Sequence, residues 1–186
     1  MRNKGYTLIE VLVSVGIFSI VLAGPTGLFV LSLRNQNMSL ALGETIDNTS
    51  HSVEYISRSL RMARKDKVGN CITQNYNYEN PDSDTSKIRF LNYQGYCLEF
   101  SLSGTQLFQR KSSDGASANF DSGAFLTSDD LEIDSFQFLI VGGGQYDNLQ
   151  PRVTMVFHIA KGSAGTDLPD INVQSTISQR NLDVTY

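Results

Sequence analysis

The hydrophobic pattern divides the chain into three stretches. Between Val11 and Leu33 no residue carries an ionisable side chain, and as a helix this run of 23 residues is long enough to cross a bilayer core of about 30 Å. Past Arg34 the pattern becomes amphipathic. Met38, Leu42, Ile46, Val53, Ile56 and Leu60 recur at helical spacing, with Asn48, Glu54 and Arg58 among them. One helix from about Thr7 to Lys65 is predicted, its first half an anchor and its second half packing one stripe on a folded domain. Gly24-Pro25-Thr26-Gly27 interrupts the apolar run, and proline lacks the backbone donor a helix interior needs. A kink or a melted turn is therefore expected around residues 23–27.

From Val68 onward the period shifts from helical to twofold. Residues 70–87 are polar and contain Pro81, which reads as a surface loop. Residues 88–93, 96–103 and 106–111 read as a meander with tight turns at Gln94-Gly95 and Gly104-Thr105. In the middle strand Leu98, Phe100 and Leu102 alternate with Glu99, Ser101 and Ser103. Residues 131–141 and 151–160 form an expected antiparallel pair across Gly142-Gly143-Gly144, and residues 171–180 are placed to close the sheet. One long helix followed only by strands predicts an α+β fold, the helix laid on an antiparallel sheet. The organisation expected is 1–5 leader, 6–33 transmembrane helix, 34–67 amphipathic continuation and 68–186 β-rich globular domain.

Charge narrows the options. Fifteen Lys and Arg against nineteen Asp and Glu give a net charge of −4, so no overall basic field is available to hold nucleic acid and none is expected as a partner. The local basic group Arg58, Arg61, Arg64, Lys65 and Lys67 is placed at the helix C-terminus, where positive charge complements the macrodipole. A lipid or DNA contact is the alternative reading of that group. Arg2 and Lys4 precede the apolar run and predict an N-terminus held in the cytoplasm, a single span, and a C-terminal domain outside. In that exported setting Cys71 and Cys97 read as a structural disulfide, with free thiols as the alternative.

Catalytic and metal chemistry find little support. His51 lies on the helix and His158 in a strand, neither with a cysteine or carboxylate at ligand or triad spacing. Gly142–Gly144 lacks the strand–loop–helix order of a phosphate cradle, and the run from Lys161 to Thr166 has P-loop residue types in the wrong order. Asp82, Asp84, Asp129, Asp130, Asp167 and Asp170 are read as solvated loop acids, with no stretch matching an EF-hand. No cofactor, metal site or catalytic residue is called for, and the chain is read as a non-enzyme.

The amino terminus carries the sharpest signal. A secretory signal places its small-residue cleavage site after the apolar stretch, whereas here Gly5 stands before it. Cutting there would discard only a charged leader. Glu10 is a carboxylate inside the apolar segment, where it costs roughly 2.5–3.5 kcal/mol at a helix centre and less near an end. Such a group calls for a partner, or snorkels to the interface.

Lys4-Gly5-Tyr6-Thr7-Leu8-Ile9-Glu10, followed by Val11-Leu12-Val13-Ser14, resembles the type IV prepilin cleavage and methylation motif. The resemblance implies cleavage between Gly5 and Tyr6 by a prepilin peptidase and N-methylation of Tyr6, where the family more usually has phenylalanine or methionine. It implies that Glu10 meets the N-terminal amine of a neighbouring subunit, and that Gly24, Pro25 and Gly27 mark a helix break. Its implied partners are other pilin or pseudopilin subunits, an inner-membrane assembly platform, and the lipid bilayer before assembly. Residues 172–182 and the two-strand block before them are similar to J-class minor pseudopilins and related minor pilins. Glu10 argues against the K-class tip subunit, and the chain length points to a minor subunit. The expected role is a minor pseudopilin of a type II secretion pseudopilus. The alternatives are a minor pilin of a type IV or competence pilus, and a plain membrane-anchored binding domain.

Overall fold

The computed structural model describes residues 5–129, 131–144, 149–161 and 171–180. The leader residues 1–4, Asp130, Asp167 and Asp170, the glycine-bearing stretch 162–166 and the terminal residues 181–182 lie outside them. The chain divides into two compact units, residues 1–40 and 41–186.

The first unit is helical from Leu8, where α1 (Leu8–Arg61) begins. Its apolar side chains are exposed among the described residues, Leu8, Ile20, Leu28 and Leu40 each by at least 70%. The hydroxyls of Ser14, Ser19 and Thr26 turn back onto the helix. They donate to the carbonyls of Glu10 (2.7 Å), Val15 (2.8 Å) and Ala23 (2.9 Å), so these polar groups are satisfied without water. The break expected at Gly24-Pro25-Thr26-Gly27 is not an interruption in this structure, because helical backbone continues through Pro25. Thr26 sits beside the missing proline donor and also reaches the Leu22 carbonyl (3.1 Å), supplying a hydroxyl donor to that turn.

In the second unit, β1 (Lys87–Leu91), β2 (Cys97–Ser103), β3 (Gln106–Ser112) and β4 (Ala124–Phe125) form one antiparallel sheet in that order. β5 (Glu132–Val141), β6 (Arg152–Lys161) and β7 (Ile171–Ser178) form a second. The two strand sets do not merge into one sheet. The outer edge of β5 is met by turns instead of a strand: Phe138 N–H donates to Thr85 O (2.7 Å) and Ile133 N–H to Thr105 O (2.9 Å). The architecture is α+β, with the later part of α1 on antiparallel sheets. Ile56 and Leu60 of the helix join Phe90, Phe100, Phe138 and Phe157 in one buried cluster, and Tyr55 stands edge-on to Phe100 at 6.1 Å. Each such fully buried side chain contributes roughly 1.5–3 kcal/mol.

Two expectations for the helix need correction. Its buried stripe before Ile56 is Ala41, Thr45, Thr49 and Ser52, while Met38 and Ile46 stay largely exposed. Small side chains allow a close approach, which Ser52 completes by donating to Leu126 O (2.8 Å). The helix also stops at Arg61 and does not reach Lys65. Arg64 is drawn off to bridge Leu91 at the end of β1 (N–H to O, 2.8 Å), so only Arg58 and Arg61 of the basic group lie in the last turn. Arg58 is ion-paired with Glu54 at 2.5 Å, and Arg64 Nη1 donates to Tyr93 O (3.1 Å).

A helix end leaves carbonyls without intrahelical donors, and a buried end must find them elsewhere. Tyr78 Oη donates to Leu60 O (2.6 Å), Arg180 N–H to Arg61 O (2.9 Å), and Gln179 Nε2 to Ala63 O just beyond (2.7 Å). Tyr78 comes from the stretch read as a surface loop, yet its ring is 1% exposed. Burial pushes the Tyr78 phenol up from its ordinary value, which keeps the donor proton in place.

The face of β2 turned from the helix is buried too. Glu99, on the polar side of the alternation, is 1% exposed and held between two guanidinium groups. Arg89 on β1 donates through Nε (3.0 Å) and Nη2 (2.6 Å) to Oε2, and Arg110 on β3 pairs with Oε1. The three residues are register neighbours across the strands, and the Phe120 ring lies over both arginines at 5.4 and 4.9 Å. Beside them Cys71 and Cys97 are disulfide-bonded, Cα atoms 5.4 Å apart, with Ile72, Leu91 and Phe120 packed around. The loop bearing Cys71 is organised by Asp66. Its Oδ1 accepts the amides of Val68 (3.0 Å) and Gly69 (2.8 Å), and its Oδ2 those of Cys71 (2.8 Å) and Ile72 (3.1 Å). Desolvation raises the Asp66 pKa, but these four donors outweigh it and leave the net shift downward.

Two predictions concern this layer. Replacing Cys71 and Cys97 together by serine opens a crosslink spanning 26 residues and lowers stability by about 3.5 kcal/mol on the chain-entropy scale, read by urea unfolding in detergent. Asp66→Asn lowers stability near neutral pH by about 2 kcal/mol. The folded pKa lies below the unfolded one, so the carboxylate's contribution is present above about pH 4 and is lost as pH falls through the folded value. The gap between parent and variant is therefore expected to narrow on acidification; a gap independent of pH would contradict the assignment.

Candidate functional site

The segment singled out by sequence opens α1. Gly5, Tyr6 and Thr7 precede the helix, and Tyr6 is 82% exposed. Thr7 caps the helix. Its carbonyl accepts the N–H of Glu10 (3.1 Å) and Val11 (3.3 Å), and its Oγ1 also accepts from Glu10 N–H at 3.4 Å. The pattern Thr7-x-x-Glu10 is the sequence signature of a capping box, a signal available in the chain but not drawn from it beforehand. The cap fixes where the helix starts. Cleavage after Gly5 would leave only Tyr6 and Thr7 ahead of it. Glu10 then stands in the first turn, where the helix dipole favours a negative charge.

Gly5 is under no constraint from the fold, since a Cβ built on it meets nothing within 4 Å. The rest of the segment from Leu8 to Leu40 is an apolar helical surface, suited to lipid or to another apolar surface and offering no group for acid–base chemistry apart from Glu10 and Arg34. It is the one helix among the described residues long and apolar enough to cross a membrane.

The other sequence candidates do not converge on a site. His51 is exposed on α1. His158 on β6 faces Asp134, its Nδ1 3.8 Å from the carboxylate. Asp84 is occupied by Ser86 and by Lys87 at 3.1 Å; the Ser86 hydroxyl and amide together with Lys87 lower its pKa to about 2. Asp82 adopts a positive φ of 57° in a short turn, and Asp129 accepts from Ser128. Among the described residues no group of three or more His, Cys, Asp or Glu is placed to hold a metal. Gly142 begins the β5–β6 connection with φ of 71°, as a turn requires, and Gly143 O accepts from Asn77 N–H (2.9 Å).

Comparison with protein families gives one match: the prokaryotic N-terminal methylation motif, over residues 1–24. The chain is type IV prepilin-like. No curated protein and no solved structure matches it. The motif characterises structural subunits, and in this prepilin-like chain it falls on the exposed segment just described. The apolar helix together with the motif is consistent with a membrane-anchored protein.

Because no neighbour constrains Gly5, Gly5→Val is expected to leave the urea midpoint and the Cys71–Cys97 disulfide as in the parent. A shifted midpoint would show that the fold does use this glycine.

Proposed function

We propose that this prepilin-like chain is cut between Gly5 and Tyr6 by a prepilin peptidase, methylated on the new Tyr6 amine, and polymerised through its N-terminal helix as a minor pseudopilin of a type II secretion pseudopilus. The carrying observation is the conjunction at the amino terminus. A glycine that meets no other described group sits two residues ahead of a capped apolar helix that the other described residues leave exposed. Such a surface is stable only in lipid or against other subunits, and the two settings correspond to the chain before and after assembly.

Glu10 supplies the assembly contact in this reading. Inside an apolar bundle its carboxylate needs a cationic partner, and the amine released on Tyr6 of a neighbouring subunit is one of matching charge. The unprocessed chain sits in the inner membrane with its N-terminus in the cytoplasm, engages the assembly platform, and then joins other pseudopilin subunits. Softening at Gly24-Pro25-Thr26-Gly27 belongs to the transfer from bilayer to filament, since Pro25 removes a backbone donor there. The resemblance of residues 172–182 to J-class minor pseudopilins and related minor pilins supports a minor subunit. A minor pilin of a type IV or competence pilus is the second reading.

The test is intact mass and N-terminal sequencing of the chain from membranes of cells holding the matching peptidase. A mature chain starting at methylated Tyr6 is expected, and Gly5→Val is expected to abolish the cut. A parent chain still starting at Met1 would overturn the proposal. Among processed chains, loss of exported enzymes on deletion supports the pseudopilus, and loss of surface filaments alone supports the pilus.

A further inference from the structure

The backbone at each end of the Cys71–Cys97 crosslink is held by bonds that use no sulfur. Cys97 opens β2 and stands in register between Leu91 of β1 and Ser112 of β3, so the sheet fixes it from both sides. Cys71 lies in residues 66–76, a loop whose ends meet. Asp66 N–H donates to Tyr76 O (3.0 Å), and Asn75 N–H donates to Asp66 O (2.6 Å).

The loop is fastened at three further places. Asp66, only 2% exposed, gathers the amides of Val68, Gly69, Cys71 and Ile72 onto its carboxylate. Thr73 donates through its amide (2.9 Å) and its hydroxyl (3.1 Å) to the Glu79 carboxylate. Ser117 N–H donates to Asn70 O (3.0 Å), tying the loop to the chain beyond β3. Opening the crosslink to two thiols takes away none of these partners.

We propose that Asp66 is the positioning residue for this crosslink: it keeps the loop set while the bond is open, so that Cys71 and Cys97 meet as preorganised partners. In the closing step the thiolate of one cysteine attacks the sulfur–sulfur bond of a small disulfide oxidant and releases one thiolate from it. The second cysteine attacks the mixed disulfide and releases the other. The protein's two thiols are oxidised, and the oxidant is reduced to two thiols that take up the protons. The entropy of fixing the loop is met by its own hydrogen bonds before the sulfurs join, which shifts the balance toward the disulfide. The coupling is mutual, so the crosslink stabilises the fold more when Asp66 is present. It belongs to the C-terminal unit and does not depend on processing at Gly5.

The full-length chain in detergent is brought to equilibrium with mixtures of reduced and oxidised glutathione, starting from either form, and free thiols are counted by alkylation and mass. Asp66→Asn is expected to need a several-fold more oxidising mixture for half of the chains to close. Ser52→Ala removes the hydroxyl that reaches Leu126 O, weakening the fold away from the loop, and is expected to close in the same mixture as the parent. Equal shifts in the two variants would overturn the proposal, as would an unchanged balance in Asp66→Asn. If Asp66→Asn does not fold, Glu79→Ala, which releases Thr73 from the loop's fastening, is expected to shift the balance in the same direction, and no shift there counts against the proposal equally. Urea unfolding gives a second reading. In the chain carrying Cys71→Ser and Cys97→Ser, Asp66→Asn is expected to lower stability less than it does in the disulfide-bonded chain. Equal losses would show that loop and crosslink act independently, contrary to the proposal.

Discussion

The buried C-terminus of α1 is the constraint on which the second unit depends. A helix delivering Ile56 and Leu60 into a core must end inside it, and its last carbonyls cannot be left to water. The donors come from both ends of the β-rich region. Tyr78 precedes β1, and Gln179 and Arg180 follow β7. One helix end thus ties the first sheet to the last strand, the Gln179–Ala63 contact alone joining residues 116 apart. Folding that satisfies the helix end also closes the domain, since none of these donors arrives until the strands that carry them are placed.

A second constraint lies on the far face of β2. The central strand of a sheet covered on one side by the helix would ordinarily show polar residues to solvent on the other. Here Glu99 is buried, and a buried carboxylate is tolerable only when its charge is matched. The register supplies Arg89 and Arg110 on either flank, with Phe120 roofing both. The disulfide and the Asp66 knot belong to the same layer. Asp66 draws the amides of Cys71 and Ile72 onto one carboxylate oxygen, shaping the loop that presents Cys71 to Cys97. The crosslink therefore joins a loop that already has its own reason to be ordered.

Period and composition made much of this legible. The 3.6-residue pattern marked α1, and the twofold alternation located every strand of five residues or more within a few positions. Residues with more than one role were harder to read. Tyr78 lay hidden in a stretch whose Asn, Asp and Ser content signalled surface, because composition averages over the one ring that turns inward. Glu99 obeyed perfect alternation and was still buried, since alternation assigns a face but cannot say whether another layer covers it. The short β4 has too few residues to carry a period. On the helix, the apolar periodicity passes over Thr45, Thr49 and Ser52, although close packing prefers their small size to the bulk of Met38 or Ile46. At the amino terminus the motif was plain, but the capping role of Thr7 within it was not drawn out, because the motif's processing chemistry absorbed the same letters.

Glycine shows how the two kinds of signal separate. A Cβ at Gly123 would lie 2.3 Å from the Phe108 ring and 2.6 Å from Gln109 O, and its φ is 76°, so the fold itself demands glycine there. Gly5 meets nothing. The same residue type is thus explained at one position by packing within the chain and is unexplained by packing at the other. The two units divide the same way: the described helix of the first leaves its apolar side chains exposed, whereas the second buries its own core.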